Sequence, residues 1–300
     1  MTQLPAGGPI RFGLIGIDSP HAPSFTRLFG DGVTSTVRGG IITSAWAGAV
    51  SEDFPLSRDR IAARTEQMND LGVPLRDSPE AVARECDALL VVASDARTHA
   101  GYFSRLAHFG KPIYVDTRFA MTTADARAML ELAHAENCLA LAGSPKRFAQ
   151  EFHDSMVHSK VERIDLDGAL PTQPGHPGLS WYGVHLVDLA VAAMGPGCAE
   201  VDATGERVVL RWKDGRVATL AGPPEWGPLT TGKIVGADAA TSFEIVAGED
   251  MLVGLLNAVV LACRTGAPTV PEDEIISIVA IVEAANKSLA SGKSITVSPS

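Results

Sequence analysis

The sequence predicts an α/β fold. An N-terminal Rossmann-like, doubly wound parallel sheet is followed by a C-terminal α+β domain with an open, mainly antiparallel sheet. Three observations carry this. Short apolar runs alternate with helical patterns of about 10–15 residues through roughly the first 145 positions, the signature of a parallel sheet with crossover helices. The first run, Ile10 to Ile17, closes on a glycine turn. Beyond that region the grain changes to short alternating segments and hairpin turns. The expected boundaries are 1–146 for the Rossmann-like domain and 147–300 for an α+β substrate and oligomerisation domain.

Element by element, Ile10–Ile17 is apolar except for Arg11, the composition of a strand buried on both faces. Residues 22–30 supply the following helix. Gly40–Val50 reads as strand two. The segment from Ser51 to Gly72 offers a loop and a helix of period 3.6, stopped by Gly72. Asp77-Ser78-Pro79-Glu80 marks a helix start, with Ser78 as N-cap and Pro79 at the first helical position, where its missing N–H costs nothing. Ala88–Ala93 is a further buried strand, Thr98–Phe109 a helix closed by Gly110, Lys111–Val115 a strand and Thr123–Asn137 a helix, and Leu139–Gly143 ends the series. In the second half, strands are expected at Ile164–Ala169, Arg207–Trp212, Val217–Ala221, Gly232–Val235 and Ser242–Val246. Helices are expected at Tyr182–Met194, Asp250–Thr265 and Glu272–Ser291. Lys213-Asp214-Gly215-Arg216 is the turn of a hairpin.

Composition removes several function classes. The 300 residues are 46% hydrophobic and 20% charged, enough for a sizeable core. Twenty-five basic against thirty-five acidic side chains leave a net charge of −10, which argues against a nucleic-acid or anionic-membrane partner. The longest apolar stretch, Met251–Cys263, is too short to span a bilayer, which needs about 20 residues. No basic segment leads into an apolar one near the N-terminus, so no signal peptide is expected. Cys86, Cys138, Cys198 and Cys263 stand far apart, without the spacing of a zinc site or disulfide framework. Buried reduced thiols in a cytoplasmic protein are expected. No P-loop lysine, nucleophile elbow or metal-ligand spacing occurs, so no metal is expected.

The turn after strand one, Gly13-Leu-Ile-Gly16-Ile17-Asp18-Ser19-Pro20-His21, stands where a dinucleotide fold places G-x-G-x-x-G. Only Gly16 occupies a fingerprint position, and Asp18 and His21 fill the other two. Strand two ends on Ala47-Gly48-Ala49, without the carboxylate that would bind a ribose. The Arg58, Arg60 and Arg64 group reads as a solvated helix face, or as a contact for a 2′-phosphate.

Residues 88–148 carry a longer pattern. It runs as strand, loop, His99, helix, Gly110-Lys111, strand, the tripeptide Asp116-Thr117-Arg118, Ala120-Met-Thr122, helix, then Arg147-Phe148. Later comes Gly183-Val184-His185-Leu186-Val187-Asp188. This order resembles the glucose–fructose oxidoreductase and inositol dehydrogenase family (Gfo/Idh/MocA) over most of the chain. The resemblance implies an NAD- or NADP-dependent oxidoreductase acting on a sugar- or polyol-like small molecule, and a homodimer or homotetramer. It implies cofactor contacts from Gly16, Ile17, Asp18, Ser19, His21, Ser94, Asp95, His99, Asp116 and Thr117, while a rigid, self-satisfied turn accounts equally for Asp18 and His21, and packing at a helix start accounts for His99.

The family pairs a lysine, from a Glu-Lys-Pro tripeptide, with an aspartate and a histidine. Here Thr117 stands in the lysine position and Trp181 in the aspartate position, and only His185 matches. Neither threonine nor tryptophan exchanges a proton at neutral pH. The catalytic candidates are therefore His185, as the group that trades the hydroxyl proton, with Tyr182 beside it and Arg118 or Lys146 stabilising an alkoxide. Two other classes fit the same departures: a redox-inactive binding or scaffold protein, and a cofactor-independent lyase or isomerase using His185 and Tyr182.

Overall fold

The computed structural model describes residues 7–157 and 160–297. It divides into two compact units. The first contains residues 7–120, Ala124–Gly143 and Leu255–Val270, and the second contains Met121–Thr123, the described residues of Ser144–Gly254, and 271–297.

In the first unit β1 (Ile10–Ile15) leads to α1 (His21–Phe29), β2 (Gly40–Trp46), α2 (Pro55–Arg58), α3 (Ile61–Asp70), α4 (Pro79–Glu85) and β3 (Ala88–Val91). Then come α5 (His99–Leu106), β4 (Ile113–Val115), α6 (Thr123–Ala135) and β5 (Ala140–Leu141). The five strands are parallel in the order β2-β1-β3-β4-β5, as expected of a doubly wound sheet. The chain moves outward in both directions from β1, so the switch point lies between β1 and β3. In open α/β sheets ligands bind at that crevice, outside the carboxyl ends of the strands. Burial follows the sequence: Phe12, Leu14 and Ile15 are fully enclosed, as is all of β3. Ser78 caps α4 as expected, its Oγ accepting from Ala81 N at 3.2 Å. Strand two stops at Trp46 rather than Val50, because Gly48 turns the backbone to φ +95°.

In the second unit the order is α7 (Gln150–Ser155), β6 (Val161–Gly168), α8 (Val184–Met194), β7 (Cys198–Asp202), β8 (Val208–Trp212), β9 (Val217–Ala221), β10 (Leu229–Gly236) and β11 (Ala240–Val246). Helix α9 (Glu249–Thr265) begins in this unit, which closes with α10 (Glu272–Ser291) and β12 (Ile295–Thr296). The sheet order is β11-β10-β6-β9-β8-β7-β12, with every pair antiparallel except β6 and β9. Strands β7 and β12 escaped the sequence reading, β7 because Ala199 and Glu200 interrupt its alternation and β12 because it is two residues long. The predicted hairpin joins β8 to β9, with Gly215 at φ +89°.

Helices α8 and α10 contribute to the core of this unit. Val187, Leu189, Ala190 and Val191 of α8 join Ile281 and Ala285 of α10 and Ile164, Leu166 and Leu220 of the sheet. Nearly every residue of α8 is buried, including His185 and Asp188. A polar side chain on such a helix must find partners inside the protein. All four cysteines are free and buried, and burial pushes the thiols of Cys86 and Cys198 up to about 11 and those of Cys138 and Cys263 up to about 12. Among the described residues no helix is long and apolar enough to cross a membrane, and no group of three or more His, Cys, Asp or Glu is arranged to hold a metal ion.

Candidate functional site

The strand ends of the first unit form a cradle of small residues. Gly16 sits at φ +76°, its amide donating to Trp46 O at 3.0 Å, while Ile17 N donates to Ala47 O. A Cβ on Gly16 would lie 2.5 Å from the Ala93 Cβ, so only glycine allows β1 to turn here. Gly16, Ala47, Gly48, Ala93 and Tyr102 line an empty space of about 180 Å³. The space is too tight to admit a water molecule, far short of the about 300–1,000 Å³ of a whole small-molecule pocket.

Asp18 turns its carboxylate inward, where Ser94 N donates to Oδ1 at 2.8 Å. Burial raises its pKa, and the Ser94 amide offsets part of that. Ser19 Oγ accepts from His21 N at 3.1 Å, fixing the start of α1. His21 stacks on Phe25, and its Nδ1 lies 2.5 Å from Asp116 Oδ2. The other Asp116 oxygen accepts from the Tyr114 hydroxyl at 2.9 Å and from the Thr117 hydroxyl at 3.3 Å. Burial alone would raise the Asp116 pKa, but the His21 ring and these donors bring it down to about 2. Thr117 is one of two non-glycine residues at positive φ among those described, at +45°. That conformation costs of order 1–3 kcal/mol unless its surroundings hold it in place.

The remaining cofactor candidates serve as braces. Asp95 accepts from Arg97, which also pairs with Asp53 at 2.7 Å. His99 is fully buried with Nδ1 at 2.7 Å from Arg118 O and Nε2 at 2.8 Å from Ala93 O, clamping two strand-end loops together. Arg58 is occupied by Asp59 and the Glu52 carbonyl.

The second unit holds Lys146, Tyr182 and His185 together. Ser144 precedes Pro145 at the start of a 3₁₀ turn, Pro145–Phe148, and caps it by accepting from Lys146 N at 3.3 Å. The Lys146 side chain is buried, with Nζ donating to Thr230 Oγ1 at 2.6 Å and lying 5.5 Å from the Tyr182 ring centre. Its partner is a hydroxyl rather than a carboxylate, and burial pushes its pKa down to about 8. The edge of Tyr182 meets His185, with ring centres 4.9 Å apart. His185 Nδ1 lies 2.6 Å from Ser144 Oγ. Asp188, one turn further along α8, accepts from Ser144 N at 2.6 Å and from Arg147 Nε at 2.5 Å, and Arg147 also reaches Glu274 at 2.7 Å. Trp226, 61% exposed, donates from Nε1 to the Tyr182 hydroxyl at 2.6 Å. Trp181, in the position of the expected aspartate, is buried with its ring against His176.

The structure thus brings His21 to Asp116 and Thr117, Asp18 to Ser94, and Lys146 to Tyr182 and His185. Arg118 belongs to the first unit, and Lys146, Tyr182 and His185 to the second. Sequence reasoning missed Ser144 and Thr230. The Ser-Pro start of a helical turn signals a capping serine, whereas nothing local distinguishes Thr230 from other strand threonines.

A nicotinamide dinucleotide, the group this fold class holds, would lie at the turn after β1, outside the carboxyl ends of the strands. Ala93 fills the place a Cβ on Gly16 would take, so this glycine shapes the turn and opens no extra room. Asp18 does not oppose it, because its carboxylate is committed to the Ser94 amide. Helix α1 offers fewer amides than a glycine loop: Pro20 and Pro23 have none, and that of His21 is taken by Ser19.

No protein-family model matches the sequence, and no curated protein matches it. Solved structures share its fold over nearly the whole chain. A probable dehydrogenase from Thermotoga maritima aligns with a TM-score of 0.79 at 18% identity, covering 96% of this chain and 99% of that one. Myo-inositol 2-dehydrogenase from Lactobacillus plantarum gives 0.76 at 15% identity, covering 97% and 100%. Scyllo-inositol dehydrogenase from Lactobacillus casei, solved with NAD(H) and scyllo-inositol bound, gives 0.75 at 11%, covering 96% and 99%. At these identities the likeness is one of architecture. The chain has the Gfo/Idh/MocA fold of the inositol dehydrogenases, the fold its ordered motifs resemble.

Proposed function

We propose that this chain is an NAD- or NADP-dependent oxidoreductase of a small hydroxylated or carbonyl substrate, sugar- or polyol-like, with Lys146 as the group that exchanges the substrate's hydroxyl proton. The observation that carries this is the Lys146 environment: a buried ammonium partnered by a threonine hydroxyl and brought to a pKa of about 8. A general base works best when its pKa lies near the working pH. It supplies the amine that Thr117 cannot. The glycine turn after β1, at the carboxyl end of the parallel sheet, supports the cofactor half of the reading, as does the NAD(H) bound by the L. casei enzyme.

When bound, the nicotinamide accepts or donates the hydride. In the oxidation direction, neutral Lys146 takes the hydroxyl proton as the carbon–oxygen bond gains double-bond character. His185 and Tyr182 orient the same oxygen and stabilise developing negative charge on it. The Rossmann-like unit then serves the cofactor and the second unit, which carries Lys146, the substrate, in a cytoplasmic homodimer or homotetramer that sedimentation velocity would reveal.

The test is calorimetric titration with NADH and NADPH, followed by turnover of cyclic polyols read at 340 nm. Micromolar binding of either cofactor, with turnover lost in Lys146→Met, is the expected result. A second reading rests on the missing amides of Pro20 and Pro23: a ligand-binding protein without redox turnover. An absence of heat at millimolar cofactor would select it.

A further inference from the structure

We infer that Ser144 is a positioning residue that holds His185 as its Nε2-protonated tautomer, so that His185 donates a hydrogen bond to the substrate oxygen and does not take its proton. The division of labour rests on the proposed oxidoreductase reading, and the tautomer rests on geometry alone.

The argument is a count of donors. Ser144 is fully buried, and its hydroxyl has one proton to give. The backbone N–H of Lys146 points at Ser144 Oγ from 3.3 Å, so the oxygen already accepts there. Asp188, the nearby carboxylate, does not compete for the hydroxyl proton. It accepts from Arg147 Nε and from the amide of Ser144 itself, and among the described contacts the Ser144 hydroxyl makes no hydrogen bond to it. Glu274 holds the same arginine from α10. The acceptor left to the Ser144 hydroxyl is His185 Nδ1 at 2.6 Å.

The reverse arrangement would have His185 Nδ1–H donate to Ser144 Oγ. The oxygen would then receive two donors while its own proton lost this partner inside the protein, and leaving a buried donor unpaired is strongly disfavoured. A neutral ring that accepts at Nδ1 carries its proton on Nε2, since the hydrogen bond at one nitrogen decides the state of the other. Lys146 shares the turn with Ser144, so one capping serine fixes both the lysine's backbone and the histidine's tautomer. In the oxidation direction the substrate O–H proton would pass to Lys146 Nζ and His185 Nε2–H would stay bonded to the new carbonyl oxygen, a bound nicotinamide supplying the hydride acceptor.

The experiment is long-range ¹H–¹⁵N correlation NMR on the full chain labelled with ¹⁵N-histidine near pH 8, with His185 assigned by the peaks that vanish in His185→Gln. The expected spectrum shows His185 with a protonated Nε2 and a bare Nδ1. Ser144→Ala should turn this into a tautomer mixture, and Ser144→Thr should restore it. A wild-type ring protonated on Nδ1 overturns the inference, even if Ser144→Ala proves too unstable to study. An unchanged tautomer in a folded Ser144→Ala does the same. In turnover, Ser144→Ala should lower kcat by about 10- to 100-fold, with KM within about twofold, and Ser144→Thr should recover most of it. A wild-type protein with the expected tautomer and no turnover on any polyol would strike the oxidoreductase reading and the histidine's role in it, while the Ser144–His185 geometry would stand.

Discussion

The strand-end cluster of the first unit and the Ser144–Lys146–His185 cluster of the second treat their charged groups in opposite ways. In the first, each buried acid has a hydrogen-bond partner close by: Asp116 has His21, Asp95 has Arg97, and Asp18 has a backbone amide. In the second, Arg147 is fully paired while Lys146, next to it in the chain, meets only a hydroxyl and an aromatic ring among its described contacts. A satisfied network gives rigidity, whereas a buried cation without a counter-ion costs stability and gains a pKa suited to proton exchange. The first cluster looks like scaffold and the second like chemistry.

The sharpest way to break this contrast is Lys146→Met. It should lower kcat by about 10²–10⁴-fold, and in the wild type the oxidation rate should climb as pH rises through about 8, where the amine becomes neutral. Stability should move the other way. The folded pKa lies below the ordinary value of 10.5, so the unfolded chain binds more protons between those limits and wild-type stability rises with pH from about 8 to 10.5. Lys146→Met should flatten that slope and be more stable at pH 7, as denaturant titration across pH would show.

Next in size is Asp188→Ala. It strips the paired arginine of one carboxylate and Ser144 of its amide partner, and should destabilise the fold by about 3 kcal/mol in urea titrations. Gly16→Ala should cost about 1–3 kcal/mol through its positive φ and its clash with Ala93, and should weaken NADH binding in the calorimeter. The smallest change is Asp116→Asn. Wild-type Asp116 contributes stability at pH values above the ordinary carboxylate pKa of 3.8 and loses it as pH falls through about 2. The asparagine variant should lack this acid-limb contribution, as urea titrations between about pH 2 and 5 would show.

Much of the fold was legible in the sequence because periodicity and turn chemistry act locally. Ser78-Pro79 gave a capped helix, Asp214-Gly215 a hairpin, and Glu272–Ser291 a helix with the expected limits. The sites were legible as residues but not as partnerships. His21 and Asp116 are 95 positions apart, and Ser144 and His185 are 41 apart, so their pairing depends on topology. Lys146 could be nominated from its place after a strand. What sets it apart from other lysines is Thr230, 84 residues away on another strand. The absent lysine at Thr117 pointed to a loss, and only the packed structure showed another amine held at a depressed pKa.

The buried cysteines offer a clock. With thiol pKa values of about 11 to 12, roughly one thiol in ten thousand or fewer is ionised at neutral pH, and the thiolate is the species that reacts. Alkylation therefore waits for opening. Cys86, Cys138 and Cys263 belong to the first unit and Cys198 to the second, so mass-resolved labelling would time the breathing of each unit separately in unmodified protein.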